Sequence, residues 1–240
     1  MVQEGALVPV PNGFEVYIQD LKQRDLGTES PEPPDALNLR QRFTLAHEII
    51  HTRFYNTSGE TPVRTAEPKG KYRPREYVGI EEICNRAAAR LLVPTPLLRN
   101  EIRTVLNGDC ERIDAPFIRL MVKRFRASND VMINRLRGVE PENVFARCIL
   151  LARRSDGETR IRACYMGVTL LSSLPTPKIN DPVAGWIQEI PRAVTESDGG
   201  GKWEMTRGRR KLEIEKIPLG PSGDFLLQID DPAHRAPNSM

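Results

Sequence analysis

The sequence predicts an α+β protein that is mainly helical at first and β-rich towards its C-terminus. In the segments before residue 138 that are predicted as helices, apolar residues recur every three or four positions, which is the spacing of amphipathic helices. Beyond that point short apolar runs alternate with turn residues, a pattern typical of strands. We therefore expect two domains: residues 1–138, with a mainly helical core and a short edge sheet, and residues 139–240, a small β-rich domain with a disordered tail from Asp231.

The composition is that of a globular protein. Of the 240 residues, 39% are hydrophobic and 28% are charged, and a formal charge of +3 is too small to indicate a polyanion partner. The sequence contains no secretion signal and no apolar run long enough for a membrane span. Its four cysteines, at positions 84, 110, 148 and 164, lack a metal or disulfide spacing. We expect a cytoplasmic protein with reduced thiols and no membrane partner.

A strand and a helix are the first predicted elements. The alternation in Gly13–Ile18 predicts a strand at the edge of the functional site, where an extended peptide can add as a further strand. The helix begins near Asn38, after the proline-rich residues 31–34, and ends at residues 56–59. Its apolar stripe consists of Phe43, Ala46, Ile50 and Phe54.

This helix carries two of the chain's three histidines in the string His47-Glu48-Ile49-Ile50-His51, an H-E-x-x-H motif. Residues four apart lie about 40° from each other on a helix, so both imidazoles can bind one Zn²⁺. Glu48 can then act as the general base that takes a proton from water. The motif indicates metal-assisted hydrolysis, of a peptide bond in our interpretation. The alternative is an ordinary amphipathic helix with two partly exposed histidines.

A catalytic zinc usually has three protein ligands, so the two histidines leave it one short. A second helix, predicted between Gly79 and Pro94, offers Glu81, and Asn85 one turn later can accept a hydrogen bond from the second ring nitrogen of a histidine. From the residues alone, Glu81 fits equally well as part of an acidic first turn favoured by the helix dipole. Cys84 is a weaker rival ligand, because a buried cysteine usually behaves as a small apolar residue.

A basic pair of helices is predicted at residues 112–137. Asp114 is expected to cap the first helix, and Arg126-Ala127-Ser128 forms a tight connection to a second helix that ends at Gly138. The shape is that of a helix-turn-helix, which can bind DNA phosphates, but we favour a helical hairpin that covers the core of the first domain. Its basic residues are Arg112, Arg119, Lys123, Arg124, Arg126, Arg135 and Arg137.

The β-rich part begins with a hairpin signal. Residues 144–153 and 159–166 are strand-like and flank Asp156-Gly157, a typical hairpin turn. Further strands are expected at 185–194, 202–206, 211–217 and 225–229. Trp186 and Trp203 are interpreted as core residues. A regulatory ligand pocket in this domain is an open alternative.

Two strings of this sequence resemble a known family. The first is R-F-T-L-A-H-E-I-I-H at 42–51, and the second is the segment 81–94, which ends in A-A-R-L-L-V-P. Together they are similar to the ImmA/IrrE-type metallopeptidases, which are zinc-dependent bacterial and phage-associated proteases. The resemblance is clear over residues 40–98 and extends to about 138. It implies a zincin-like core, with His47, His51 and Glu81 as zinc ligands and Glu48 as general base.

The chain departs from the family pattern at packing positions. Ile49-Ile50 stands where the family often has Leu-Gly, and Ala87 stands where it usually has Phe. Ile83 occupies a position where many members carry a second acid, so Glu82 remains an alternative to Glu81 as the third ligand.

The resemblance also implies a function. We expect a zinc-dependent endopeptidase that cleaves a partner protein, a helix-turn-helix repressor or an antitoxin, and thereby switches gene expression. Two alternatives stay open: a DNA-binding regulator whose metal site is structural, and a toxin–antitoxin component with another metal-dependent activity. Nucleic acid is the less favoured partner.

Overall fold

The computed structural model describes residues 5–19, 37–64, 75–107, 113–137, 139, 147–155, 158–166, 178–183, 190, 194, 196, 199–207, 209–219, 223–230 and 232. Helices and antiparallel strands are both present, as the predicted α+β class requires. The chain divides into two compact units. The described part of the first unit contains residues 5–19, 37–64, 75–95 and 125–128; the other described residues belong to the second.

The elements of the first unit are β1 (Gly5–Val10), β2 (Gly13–Ile18), α1 (Leu39–His51), a 3₁₀ turn (Thr52–Phe54), β3 (Tyr55–Asn56), β4 (Val63–Arg64) and α2 (Arg75–Leu92). Those of the second are α3 (Thr95–Asn107), α4 (Ala115–Phe125), α5 (Asn129–Leu136), β5 (Arg147–Ser155), β6 (Glu158–Met166), β7 (Gly201–Arg207), β8 (Arg210–Pro218) and β9 (Asp224–Asp230). The terminal residues Thr95 of α3 and Phe125 of α4 group with the first unit.

The predicted strand at 13–18 is confirmed as β2, and it has a partner that the sequence analysis missed. β1 pairs with β2 antiparallel, from Gly5 opposite Ile18 to Val10 opposite Gly13. Asn12 adopts a positive φ of 65° in the turn between them, a conformation that asparagine tolerates better than most residues. The hairpin lies against α1.

Helix α1 begins as predicted and ends earlier. The Asn38 side chain accepts a hydrogen bond from the Gln41 backbone N–H at 2.9 Å, and the Gln41 side chain accepts one from the Asn38 N–H at 3.0 Å. This capping box fixes the start of the helix. The α-helix ends at His51 and continues as the 3₁₀ turn Thr52–Phe54, so the predicted end at residues 56–59 is wrong. The second histidine is therefore the last residue of α1.

Helix α2 is longer than predicted. It begins at Arg75, so Gly79, expected to precede the helix, lies inside it. Pro94 ends α2 as predicted, but the chain enters α3 at once, at Thr95. α3 is not predicted from the sequence because Pro94 and Pro96 indicate a stop, whereas proline also suits the first turn of a new helix.

The predicted helix pair is confirmed as α4 and α5. The Phe117 backbone N–H donates to Asp114 Oδ1 at 2.9 Å, as expected for an N-cap. The turn between the helices contains Arg126 at a positive φ of 48°. In the second unit the pair packs on the sheet: the Ala115 N–H donates to the Gln228 side chain at 3.3 Å, and α5 contacts β5 and β6.

The second unit contains a five-stranded antiparallel sheet in the order β6-β5-β9-β8-β7. The predicted hairpin is confirmed, since Ser155 pairs with Glu158 across the two residues of the turn. The strand predicted at 185–194 is wrong where the structure describes it, because Ile190 lies in a bend and Val194 is helical; the rest of it, with Trp186, lies outside the described residues. Trp203 packs against the sheet's buried core, as predicted. The tail predicted from residue 231 also lies outside the described residues, except for Pro232.

The division into units differs from the expected boundary at residue 138. It falls at residues 95–96, and most of the helix pair groups with the sheet. The physical reason is that the helix pair contacts the strands, through the buried hydrogen bond from the Ala115 N–H to Gln228 and through the Arg162–Asp130 ion pair at 3.3 Å between β6 and α5. Within the described residues, no helix is both long enough and apolar enough to cross a bilayer.

Candidate metal centre

Three predicted site residues converge in the first unit. His47 and His51 lie one turn apart on α1, and their Nε2 atoms are 2.9 Å apart. Glu81 approaches from α2: its Oε2 is 3.2 Å from His47 Nε2, and its Oε1 is 3.4 Å from His51 Nε2. One carboxylate thus faces both imidazoles, so two helices that are distant in sequence complete one group of donors.

Small buried residues let the two helices approach. α1 and α2 are in contact, and Ala46 on α1 is buried, as are Cys84 and Ala88 on α2. The short side chains of these residues favour close packing of the two helix backbones. His51 is also buried, with only 7% of its surface exposed. The donor group is therefore held on two packed helices and is largely shielded from water.

The chemistry of this group fits a metal cation. Ligand atoms of His47, His51 and Glu81 all lie within 4.8 Å of one another. Lone pairs of two imidazoles and a carboxylate directed at one point repel each other unless a proton or a cation lies between them. The other ring nitrogen of His47, Nδ1, is buried and has no hydrogen-bond partner among the described residues. The three side chains can therefore hold a metal ion.

The rival ligands are placed elsewhere. Glu82 is exposed and forms an ion pair with Arg86, one turn along the same helix. Cys84 is fully buried, in keeping with the interpretation as a small apolar residue. Asn85 is exposed, and the structure does not bring it to the unpartnered His47 Nδ1. Of the neighbouring acids on α2, Glu81 is the one that faces both histidines.

Glu48 lies between the histidines in sequence but is not part of the donor group. Its side chain is half-buried and borders β1, where a β-carbon built onto Gly5 would lie 3.2 Å from Glu48 Oε1. The structure therefore places Glu48 against β1 and outside the donor group. Sequence reasoning missed this neighbour because Pro9 hid the strand pattern of residues 5–10.

The basic helix pair uses several of its arginines within the fold. Arg119 donates to the Pro218 carbonyl at 3.1 Å, Arg124 forms an ion pair with Glu101, and Arg135 is buried. Arg135 is thereby removed from the surface, whereas the Arg119 and Arg124 side chains stay exposed while they make these contacts. Arg112 lies outside the described residues.

No protein-family model matches the chain, and no curated protein matches it significantly.

Proposed function

We propose that this chain is a zinc-dependent peptidase that hydrolyses a peptide bond in a partner protein. The observation that carries the proposal is the convergence of His47, His51 and Glu81, with Glu48 next to His47 in the sequence. An H-E-x-x-H helix completed by a carboxylate from another helix is a ligand set used by catalytic zinc. The proposal includes a zincin-like core, in which α1 and α2 would be the two metal-binding helices.

The distances within the group support zinc as the metal. Zinc binds histidine nitrogen and carboxylate oxygen at about 2.0–2.2 Å in tetrahedral geometry, so neighbouring ligand atoms lie about 3.3 Å apart. The separations are 3.2 Å from His47 Nε2 to Glu81 Oε2 and 3.4 Å from His51 Nε2 to Glu81 Oε1, so each carboxylate oxygen lies at about this spacing from one histidine nitrogen. The nitrogen–nitrogen separation of 2.9 Å is a few tenths of an ångström short of it, a difference within reach of small side-chain rotations.

The mechanism assigns the proton transfers to Glu48. Zinc held by the three ligands would act as a Lewis acid, polarising the scissile carbonyl and making water more acidic. Glu48 would take the proton from the attacking water and later give it to the leaving amine. The buried position of His51 would limit access of bulk water to that ligand.

The substrate class rests on the resemblance to ImmA/IrrE-type metallopeptidases. On that basis we propose a helix-turn-helix repressor or an antitoxin as the partner protein, with a change in gene expression as the outcome. Binding of an extended substrate to an edge of the β1–β2 hairpin stays a prediction, as does the cytoplasmic location.

Metal content is the first test. Elemental analysis of the wild type should give about one zinc per chain, and His47→Ala should abolish it. Glu48→Gln should keep the metal and lose hydrolysis of a helix-turn-helix protein encoded by a neighbouring gene, whereas Glu82→Gln should retain both. A wild-type protein that takes up no zinc on titration would contradict the proposal.

The same experiment separates the alternatives. A toxin–antitoxin component with another metal-dependent activity would cleave no protein and yet lose its effect in Glu48→Gln. A DNA-binding regulator would bind DNA in a salt-dependent way that survives Glu48→Gln. The burial of Arg135 removes one basic group of the helix pair from the surface, which does not favour the DNA-binding alternative.

A further inference from the structure

Strand β1 approaches α1 most closely at Gly5. A β-carbon built onto Gly5 would lie 2.5 Å from Thr44 Cγ2, 3.2 Å from Glu48 Oε1 and 3.3 Å from Glu48 Cγ. Thr44 and Glu48 are one turn apart on α1, so both face the strand. The first distance is a clash, and the other two are tighter than ordinary van der Waals contact. Only glycine fits here without displacing a neighbour.

The two neighbours differ in how they can respond. The Thr44 methyl group is attached to a stiff, β-branched side chain and has little freedom to move. Glu48 is long and flexible, so its carboxylate would yield by rotating away from the strand. Extra bulk at position 5 would therefore act at two places: at the Thr44 methyl group, where the strand itself must shift, and at the carboxylate that the proposed mechanism uses.

We propose that Gly5 is a positioning residue for Glu48: its missing side chain leaves the space in which the general base is held beside the metal ligands. The proposal rests on the proposed function and adds to it a contribution from the N-terminal strand. The three atoms nearest to a β-carbon at Gly5 belong to Thr44 and Glu48 and to none of the proposed metal ligands, so its effect should appear on Glu48 and not on zinc affinity.

The same hairpin offers a matched control. Gly13 lies opposite Val10 at the other end of the hairpin, and a β-carbon there would meet nothing within 4 Å. Gly13→Ala therefore changes the backbone freedom of the hairpin without adding a contact. A property that changes in Gly5→Ala but not in Gly13→Ala would therefore depend on the free space beside Glu48.

The experiment measures zinc binding and inhibitor binding separately. Zinc affinity is determined by competition with a chromophoric chelator. Acetohydroxamate binding to the zinc-loaded protein is determined by calorimetry, because a hydroxamate binds zinc while giving a proton or hydrogen bond to a carboxylate beside it. Gly5→Ala should weaken acetohydroxamate binding by about tenfold or more, as expected for a misplaced catalytic group. Its zinc affinity should stay within about twofold of that of the wild type. Gly13→Ala should match the wild type in both.

A double variant separates positioning from stability. Gly5→Ala with Thr44→Ser removes the methyl group of the worst clash, so it should recover thermal stability while keeping the weakened acetohydroxamate binding. If this folded double variant binds zinc and acetohydroxamate as the wild type does, the positioning role is overturned; an equal loss in Gly13→Ala would overturn it too. If Glu48→Gln retains wild-type acetohydroxamate binding, the role of Glu48 itself fails, and the proposed mechanism fails with it.

Discussion

Replacing Glu81 by glutamine should weaken zinc binding by about a hundredfold or more. The carboxylate faces both histidines, with separations of 3.2 and 3.4 Å. Glutamine keeps the size of the side chain but loses its negative charge, so the two imidazoles would be left with a neutral third donor. The histidine pair should still bind zinc, but more weakly.

The magnitude follows from what one ligand contributes. Four-ligand structural zinc sites bind with about 10–16 kcal/mol, or about 2.5–4 kcal/mol for each ligand. At about 1.4 kcal/mol for each factor of ten, loss of one ligand reduces affinity by about a hundredfold to a thousandfold. Zinc affinity can be measured by competition with a chromophoric chelator, with circular dichroism to verify the fold.

Glu82→Gln is the matched control, because Glu82 forms its ion pair with Arg86 on the exposed face of α2 and not with the histidines. Its zinc affinity should equal that of the wild type. Equal losses in the two variants, or a loss confined to Glu82→Gln, would refute the assignment of Glu81 as the third ligand.

Three further outcomes are expected. Cys84→Ala should keep zinc affinity and lower the free energy of unfolding by about 1 kcal/mol, since Cys84 is fully buried outside the donor group; loss of zinc would make it a ligand. Asp114→Ala should cost about 1 kcal/mol in urea unfolding, because the Phe117 N–H loses its cap; no change would mean that the cap contributes nothing. Burial raises the pKa of Asp130 despite the nearby Arg162, so the folded state favours the protonated carboxyl. The resulting contribution to the free energy of unfolding is complete below the pKa of Asp130 in the unfolded chain and is lost as the pH rises through its pKa in the folded protein. Unfolding of wild type and Asp130→Asn between about pH 4 and pH 7 should therefore show the wild type losing stability relative to the variant as the pH rises, and parallel curves would contradict it.

The residues of the candidate site could be predicted because they lie on helices. A spacing of four fixes His47 and His51 on one face whatever the rest of the fold does. Glu81 could be proposed but not assigned, because nothing in its own helix distinguishes it from Glu82. Only the packing of α1 on α2 decides which of the two carboxylates faces the histidines.

The parts that sequence reasoning missed depend on contacts distant in sequence. β1 contains Pro9 and little alternation, and it forms a strand because β2 supplies its hydrogen bonds. α4 and α5 were foreseen as elements, but their packing on the sheet depends on partners such as Gln228, more than a hundred residues away. Local patterns therefore specify the elements here, and long-range packing specifies the units.

The central strand β9 constrains the order in which the second unit can assemble. It pairs with β5 on one side and β8 on the other, and it follows both in sequence. During synthesis the hairpins β5–β6 and β7–β8 emerge first, each with an open edge that invites pairing with other chains. Joining them requires contacts such as that between Arg153 and Asp224, 71 residues apart, and such distant closure is slow. A nascent chain shorter than residue 224 would thus hold two unjoined hairpins, and this unit would fold only after its last strand has left the ribosome.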